Sequence, residues 1–128
     1  MLECSVIILN WNGEAMLRRY LPSVIQYTQL EGVEIVVADN GSTDASLEFL
    51  HSQPVRIIEL GENLGFAEGY NRAIEQVESK YVVLLNSDVE VTSNWLDTLL
   101  NYARAHEEVV AIQPKILSWQ SKEDAIKS

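Results

Sequence analysis

Four short stretches of this sequence gather carboxylates, amides and glycines directly behind apolar runs. They are Asn10-Trp11-Asn12-Gly13, Asp39-Asn40-Gly41-Ser42-Thr43-Asp44, Asn63-Leu64-Gly65 with Asn71 further on, and Asn86-Ser87-Asp88. Such residues are default turn formers, so any one stretch has an ordinary explanation. Four in succession ask for another. An ionised carboxylate only accepts hydrogen bonds, so Asp39, where a strand gives way to a helix, suits a ribose hydroxyl or a base N–H. Asn86 and Asp88 stand two apart, and in extended chain such residues point the same way. The pair offers an amide and a carboxylate oxygen to a sugar or to Mg²⁺ or Mn²⁺. Such ions typically take one or two protein oxygens and complete their shell with water and phosphates. Gly13, Gly41 and Gly65 let backbone N–H groups near helix starts face an anion without a Cβ in the way. Trp11 follows a strand and is a candidate wall of a base pocket. Arg72 and Arg18 or Arg19 are candidate cations, with solvated helix faces as their ordinary reading.

These stretches need elements to position them, and the hydrophobic pattern supplies an alternating series. Ser5–Leu9, Glu34–Ala38, Val55–Leu60, Tyr81–Leu85 and Val109–Ile112 read as strands, the fourth being the most apolar. Between them, Leu17, Tyr20, Leu21, Val24 and Ile25 recur at helical spacing over Glu14–Thr28, interrupted only by Pro22. The Asn40–Asp44 turn carries capping side chains and leads into a short helix with Leu47, Phe49 and Leu50. A third helix runs from about Phe66 to Glu78. Ser93 caps a fourth that ends near His106, with Trp95, Leu96, Leu99, Leu100 and Ala103 on one face. Pro114 breaks the pattern, and a polar tail occupies 118–128. This order predicts an α/β fold with a mainly parallel, doubly wound sheet and helices on both faces. Ligands of such sheets bind beyond the carboxyl ends of the strands, near the switch in strand order. His51 and His106 read as surface positions, and Trp95, Trp119 and the tyrosines as packing.

Length and charge narrow the classes. The 128 residues make one domain. Nineteen acidic against nine basic residues give a formal charge of −10, a field that repels nucleic-acid backbones. Any phosphorylated ligand then needs a metal ion, a helix N-terminus or placed cations. Much of the acidity reads as solvated helix face, as at Glu75, Glu78, Glu107 and Glu108. Cys4 is the only cysteine, which rules out an internal disulfide or thiolate cluster. The run Val6–Leu9 is too short for a signal peptide and no stretch reaches the ~18 apolar residues of a membrane span.

The quoted blocks, in this order and spacing, resemble family 2 glycosyltransferases. Ser5 through Gly13, Val36 through Asp44, Asn63-Leu64-Gly65-Phe66-Ala67 with Gly69 and Asn71, and Leu84 through Asp88 carry the resemblance. It covers about 4–117 and is nearest the bacterial rhamnosyltransferase-like branch. The resemblance implies a GT-A fold, whose Rossmann-like nucleotide-binding half would be 1–117. It also implies inverting transfer of a hexosyl or deoxyhexosyl unit in cell-surface polysaccharide synthesis. The donor would be a nucleotide-diphosphate sugar of UDP, dTDP or GDP type, and the acceptor a saccharide or lipid-linked hydroxyl. By position, Asp39 would contact base or ribose, Asn10, Trp11 and Asn12 would line the nucleotide pocket, Asn71 would lie beside it, and Asn86 would face the donor. Asp88 would be the final carboxylate of the family's D-x-D motif and hold Mg²⁺ or Mn²⁺. Here the chain departs from the motif, with Asn86 in place of the first aspartate.

Inverting transfer also needs a general base for the acceptor hydroxyl. None is assigned: Glu107, Glu108, Glu123 and Asp124 lack the expected setting, and the base is expected beyond residue 128. The chain alone is therefore expected to bind donor and transfer nothing. The expected setting is cytoplasmic, with peripheral contact at the inner face of the membrane allowed. Alternatives are a non-catalytic nucleotide-sugar-binding module and a receiver-type signalling domain. The receiver needs an acidic pair after the first strand, where Asn10 stands. A dinucleotide-binding oxidoreductase would need a Gly-x-Gly-x-x-Gly that is missing there.

Overall fold

Leu2–Asn10 forms the middle strand, β1, of a five-stranded parallel sheet. The chain then runs through α1 (Glu14–Tyr27), β2 (Val33–Asp39), α2 (Ser46–His51), β3 (Arg56–Glu59), α3 (Phe66–Glu75), β4 (Ser79–Leu85), α4 (Trp95–Ala105) and β5 (Ile116–Ser118). The spatial order is β3-β2-β1-β4-β5. The structure, a computed structural model, describes residues 1–106 and the backbone of 116–118. The strand expected at Val109–Ile112, the break at Pro114, and Trp119 lie outside the described residues. The strand that pairs with β4 on that flank is β5, matching Val82 with Ile116 and Leu84 with Ser118. Ser118, expected to open the polar tail, closes that strand.

Alternation along the strands sends side chains to two faces, and each face has its own core. On one, Cys4, Val6 and Ile8 of β1 and Tyr81, Val83 and Leu85 of β4 pack with Leu17, Leu21 and Val24 of α1, Leu50 of α2 and Leu96 and Leu100 of α4. On the other, among the described residues, Ile7, Val36, Ala38, Ile58 and Val82 meet a single helix, α3, through Tyr70 and Ala73. Full burial of a large apolar side chain contributes roughly 1.5–3 kcal/mol, so the three-helix face carries more of the stability. The single helix approaches the sheet closely because of Gly69. A Cβ there would stand 2.9 Å from Leu9 Cδ1 and 3.1 Å from Asn40 Nδ2. Pro22 lies inside α1 and forgoes one intrahelical bond, yet burial of Leu17, Leu21 and Val24 carries the helix through.

Several boundaries differ from expectation for local reasons. β1 starts at Leu2 because the Glu3 and Cys4 N–H groups donate to Gly32 O and the Glu3 carboxylate takes Arg104. α3 stops at Glu75, where the N–H groups of Gln76 and Val77 turn back to the carbonyls of Ala73 and Ile74. Ser93 does not cap α4. Asn94 holds that position at φ 64°, and the Trp95 N–H closes a turn onto Thr92 O. Among the tyrosines, Tyr70 and Tyr81 are buried, whereas Tyr27 and Tyr102 are exposed. Trp95 is buried, with its indole N–H donating to Thr28 Oγ1, and both histidines are exposed. No helix among the described residues is long and apolar enough to cross a membrane.

Candidate functional site

From β1 the chain builds outward through β2 and β3, then crosses to the other flank for β4. The switch in strand order therefore falls between β1 and β4, where parallel sheets of this type hold ligands. A cleft of about 610 Å³ opens there. The end of β1, the turn after it and the first turn of α1 contribute Leu9, Trp11 and Met16. The loops after β2 and β3, with the start of α3, contribute Asn40, Asn63, Gly65, Phe66 and Tyr70. The segment after β4 contributes Asn86, Ser87 and Asp88.

Asn86 and Ser87 are half-buried and Asp88 is exposed. Among the described residues no hydrogen bond or ion pair engages the side chains of Asn86 or Asp88. An amide and a carboxylate thus line the cleft uncommitted among the described residues. Trp11 and Phe66, 53% and 67% exposed, stand on the same cleft as flat apolar surfaces.

Asp39 is placed differently. It is 2% exposed and does not line the cleft. Its Oδ1 accepts from Asn10 Nδ2 at 3.0 Å and Ser42 Oγ at 2.7 Å, and its Oδ2 accepts from the Ser42 N–H at 2.9 Å. Asn10 is equally buried. Asn12 is exposed, yet its Oδ1 accepts from the N–H groups of Thr43 and Asp44 while its own N–H donates to Ser42 Oγ. Asp44 accepts from Ser46 and from the Glu14 N–H, and so touches the starts of both α1 and α2. Burial raises its carboxyl, but these hydrogen bonds outweigh that and hold it below the ordinary carboxylate value. The loops after β1 and β2 are thereby sewn into one polar network behind the cleft.

The structure brings Trp11, Asn86 and Asp88 into one cleft, as the sequence predicts, but places Asn10, Asn12 and Asp39, expected to line the nucleotide pocket, in the network behind it, and Asn71, expected beside the pocket, outside the lining. That residue is exposed on α3 and does not line the cleft. Asn40 is the functional position sequence reasoning missed. Buried at 2% exposure, it donates from Nδ2 to Asn63 Oδ1 and Gly65 O and accepts from the Leu64 N–H. Its backbone N–H donates to Asn10 O. One amide therefore joins the loops after β1, β2 and β3. Its place beside Asp39 was the available signal.

Among the described residues no basic side chain lines the cleft. Arg72 pairs with Glu68 and Arg18 with Glu14, each within its own helix, and Arg19 lies over Tyr20. Among the described residues a phosphorylated ligand there would meet one carboxylate and no cation. No group of three or more His, Cys, Asp or Glu side chains gathers among the described residues. The oxygens of Asp88 and Asn86 instead fit the other kind of divalent site, in which the ligand's phosphates supply much of the shell.

Comparison with known proteins identifies the family and the fold. The model of the family described as Glycosyl transferase family 2 matches residues 5–124. An uncharacterized glycosyltransferase, YfnE, of Bacillus subtilis is 32% identical over 110 residues, covering 83% of this chain and 27% of its own length. An N-acetylglucosaminyl-diphospho-decaprenol L-rhamnosyltransferase of Mycobacterium tuberculosis is 29% identical over 124 residues, covering 87% and 40%. The chain spans about a third or less of the length of an uncharacterized glycosyltransferase of Haemophilus influenzae and of YfnE. Among solved structures, residues 1–349 of Staphylococcus aureus TarS in complex with UDP-GlcNAc superpose with a TM-score of 0.73 at 24% identity. That match covers 83% of this chain and 32% of the other. The mannosyltransferase PcManGT of Pyrobaculum calidifontis, in complex with GDP-Man and Mn²⁺, gives 0.70 at 20% identity, covering 79% and 32%. At these identities both share the fold.

Proposed function

The chain belongs to glycosyl transferase family 2, and from that premise we propose that it is the donor-binding part of an inverting glycosyltransferase of cell-surface polysaccharide synthesis. The carrying observation is the cleft at the β1–β4 switch, where Asn86 and Asp88 present oxygens that, among the described residues, no other side chain engages. Family membership removes the ground for the receiver and oxidoreductase readings.

In this reading a nucleoside diphosphate lies across the strand ends. Trp11 offers its face to the base, and Asp39, within its network, fixes the loop that meets base and ribose. Asn10 and Asn12 act through the same network, and Asn71 stands outside it. Asp88, with the Asn86 amide oxygen, would hold Mg²⁺ or Mn²⁺ against the diphosphate. When bound, the ion supplies Lewis-acid stabilisation of charge growing on the departing diphosphate. The chain's own residues orient the donor and exclude water from one side of it. Displacement at the anomeric carbon by an acceptor hydroxyl passes through an oxocarbenium-like state. No residue of this chain is assigned as the base that deprotonates that hydroxyl. The parent enzyme is placed in the cytoplasm, peripheral to the membrane's inner face, with a saccharide or lipid-linked acceptor.

Titration calorimetry with UDP, dTDP and GDP, each with and without Mn²⁺, tests the proposal. Binding is expected with the metal and at least tenfold weaker without it. Heat from none of the nucleotides in either condition would sink it.

A further inference from the structure

The structure assigns to Tyr70 the task of setting the gap between the two walls of the cleft, through a hydroxyl that ties the end of β4 to α3, the helix packed against the end of β1. The register shows where such a link is needed. β1 stays paired with β2 as far as Asn10 opposite Asp39, but its pairing with β4 stops at Ile8 opposite Leu85. From Leu9 onward β1 follows β2, and the segment after Leu85 has no β1 partner. Trp11 leaves from one side of this fork, and Asn86 and Asp88 leave from the other.

Tyr70 fills the fork. It is 3% exposed, and its hydroxyl donates to Leu85 O at 3.0 Å. The hydroxyl thus holds the last residue of β4 at the point where the ladder to β1 has ended. Burial pushes the phenol up to about 12, so the group stays a neutral donor at ordinary pH. Gly69 is what lets α3 lie close enough to Leu9 to deliver it. On its outer side the Tyr70 ring meets Phe66 edge-on, with centroids 4.9 Å apart and planes at 73°. The same residue therefore supports an aromatic surface of the cleft. Tyr70 is a positioning residue: it acts on a ligand through the segments that it joins.

The consequence for binding rests on the donor-site reading, whereas the consequence for the fork does not, so the test measures both. Tyr70→Phe in the 128-residue chain keeps the ring in its core and removes only the hydroxyl. Amide exchange at residues 86–90 is expected to accelerate at least fivefold, with β2 and β3 unchanged. Mn²⁺-supported UDP binding is expected to weaken about tenfold. Unchanged exchange at 86–90 would overturn the assignment, and so would an equal acceleration in every strand, which reports only a less stable fold. Wild-type protein supplies a measurement that needs no variant. The Tyr70 hydroxyl proton, buried and donating to Leu85 O, is expected to exchange slowly enough to be seen by NMR, and fast exchange there would also overturn the assignment. If wild-type protein binds no nucleotide, the donor reading fails while the exchange data still decide the role of Tyr70.

Discussion

Asp39 and Asp88 occupy matching places, each at or just past the end of a strand that flanks β1, yet their surroundings are opposite. Asp39 is buried, and both of its oxygens are taken by Asn10 and Ser42. Asp88 is exposed on the cleft, and among the described residues its side chain has no hydrogen bond or ion pair. A buried carboxylate persists only when donors replace its lost water, so the β2 end is committed to holding loops together. The β4 end keeps bonding capacity that the described residues leave unused. The same residue type can thus be scaffold on one side of a strand and contact point on the other.

Substitutions can break this contrast, and the loops behind the cleft should show the largest effects on folding. Gly41 has φ +81°, and a Cβ there would stand 2.7 Å from Glu62 Cα. Gly41→Ala is expected to cost about 3 kcal/mol through overpacking and backbone strain, read as a lower urea midpoint. Asp39→Asn turns one oxygen into a donor facing donors and should cost about 2 kcal/mol, with nucleotide binding lost alongside. If stability is unchanged, the network carries no energy and the contrast with Asp88 collapses.

Alkaline pH probes the buried core beneath both ends. Burial pushes the Cys4 thiol up to about 12 from 9.0, with the charges of Glu3 and Glu34 adding, and Tyr70 is raised to about 12 from 10.0. The folded state holds both protons more tightly than the unfolded chain. The associated stability is therefore full below pH 9 and is lost as pH rises toward about 12. Urea midpoints should fall between about pH 9 and about pH 12, and Cys4→Ala should remove the part that begins first. The smallest effect on folding belongs to Asp88→Asn, expected within about 0.5 kcal/mol of wild type. Metal-supported nucleotide affinity should nonetheless drop at least tenfold. A stability loss comparable with that of Asp39→Asn would show that Asp88 is scaffold too.

The sheet was legible in the sequence because parallel strands buried on both faces are written as apolar runs, as in Val6–Leu9 and Val82–Leu85. The facing of Asn86 and Asp88 into one cleft followed from strand alternation. What stayed hidden depends on partners distant along the chain. Asp39 reads as a ligand contact until Asn10, 29 residues away, is found donating to it. Tyr70 reads as packing because nothing local says that its hydroxyl meets a carbonyl 15 residues on. Asn40 looks like one more turn residue, and its three side-chain partners all lie in the loop at 63–65. The start of α4 was misread for a smaller reason. Ser93 is a good capping residue by type, but Asn94 tolerates the left-handed backbone that the turn requires.

The contact between Gly41 and Glu62 is backbone against backbone, with no side chain between to yield. Two consecutive loops are therefore stacked like courses of masonry and can shift only together. Under the donor-site proposal, a change of sugar would be accommodated away from those loops, neither of whose contact residues, Gly41 and Glu62, lines the cleft. Donor choice within relatives of this chain should instead diverge through the stretch after Leu85, and libraries built to retune it belong at positions 86–90.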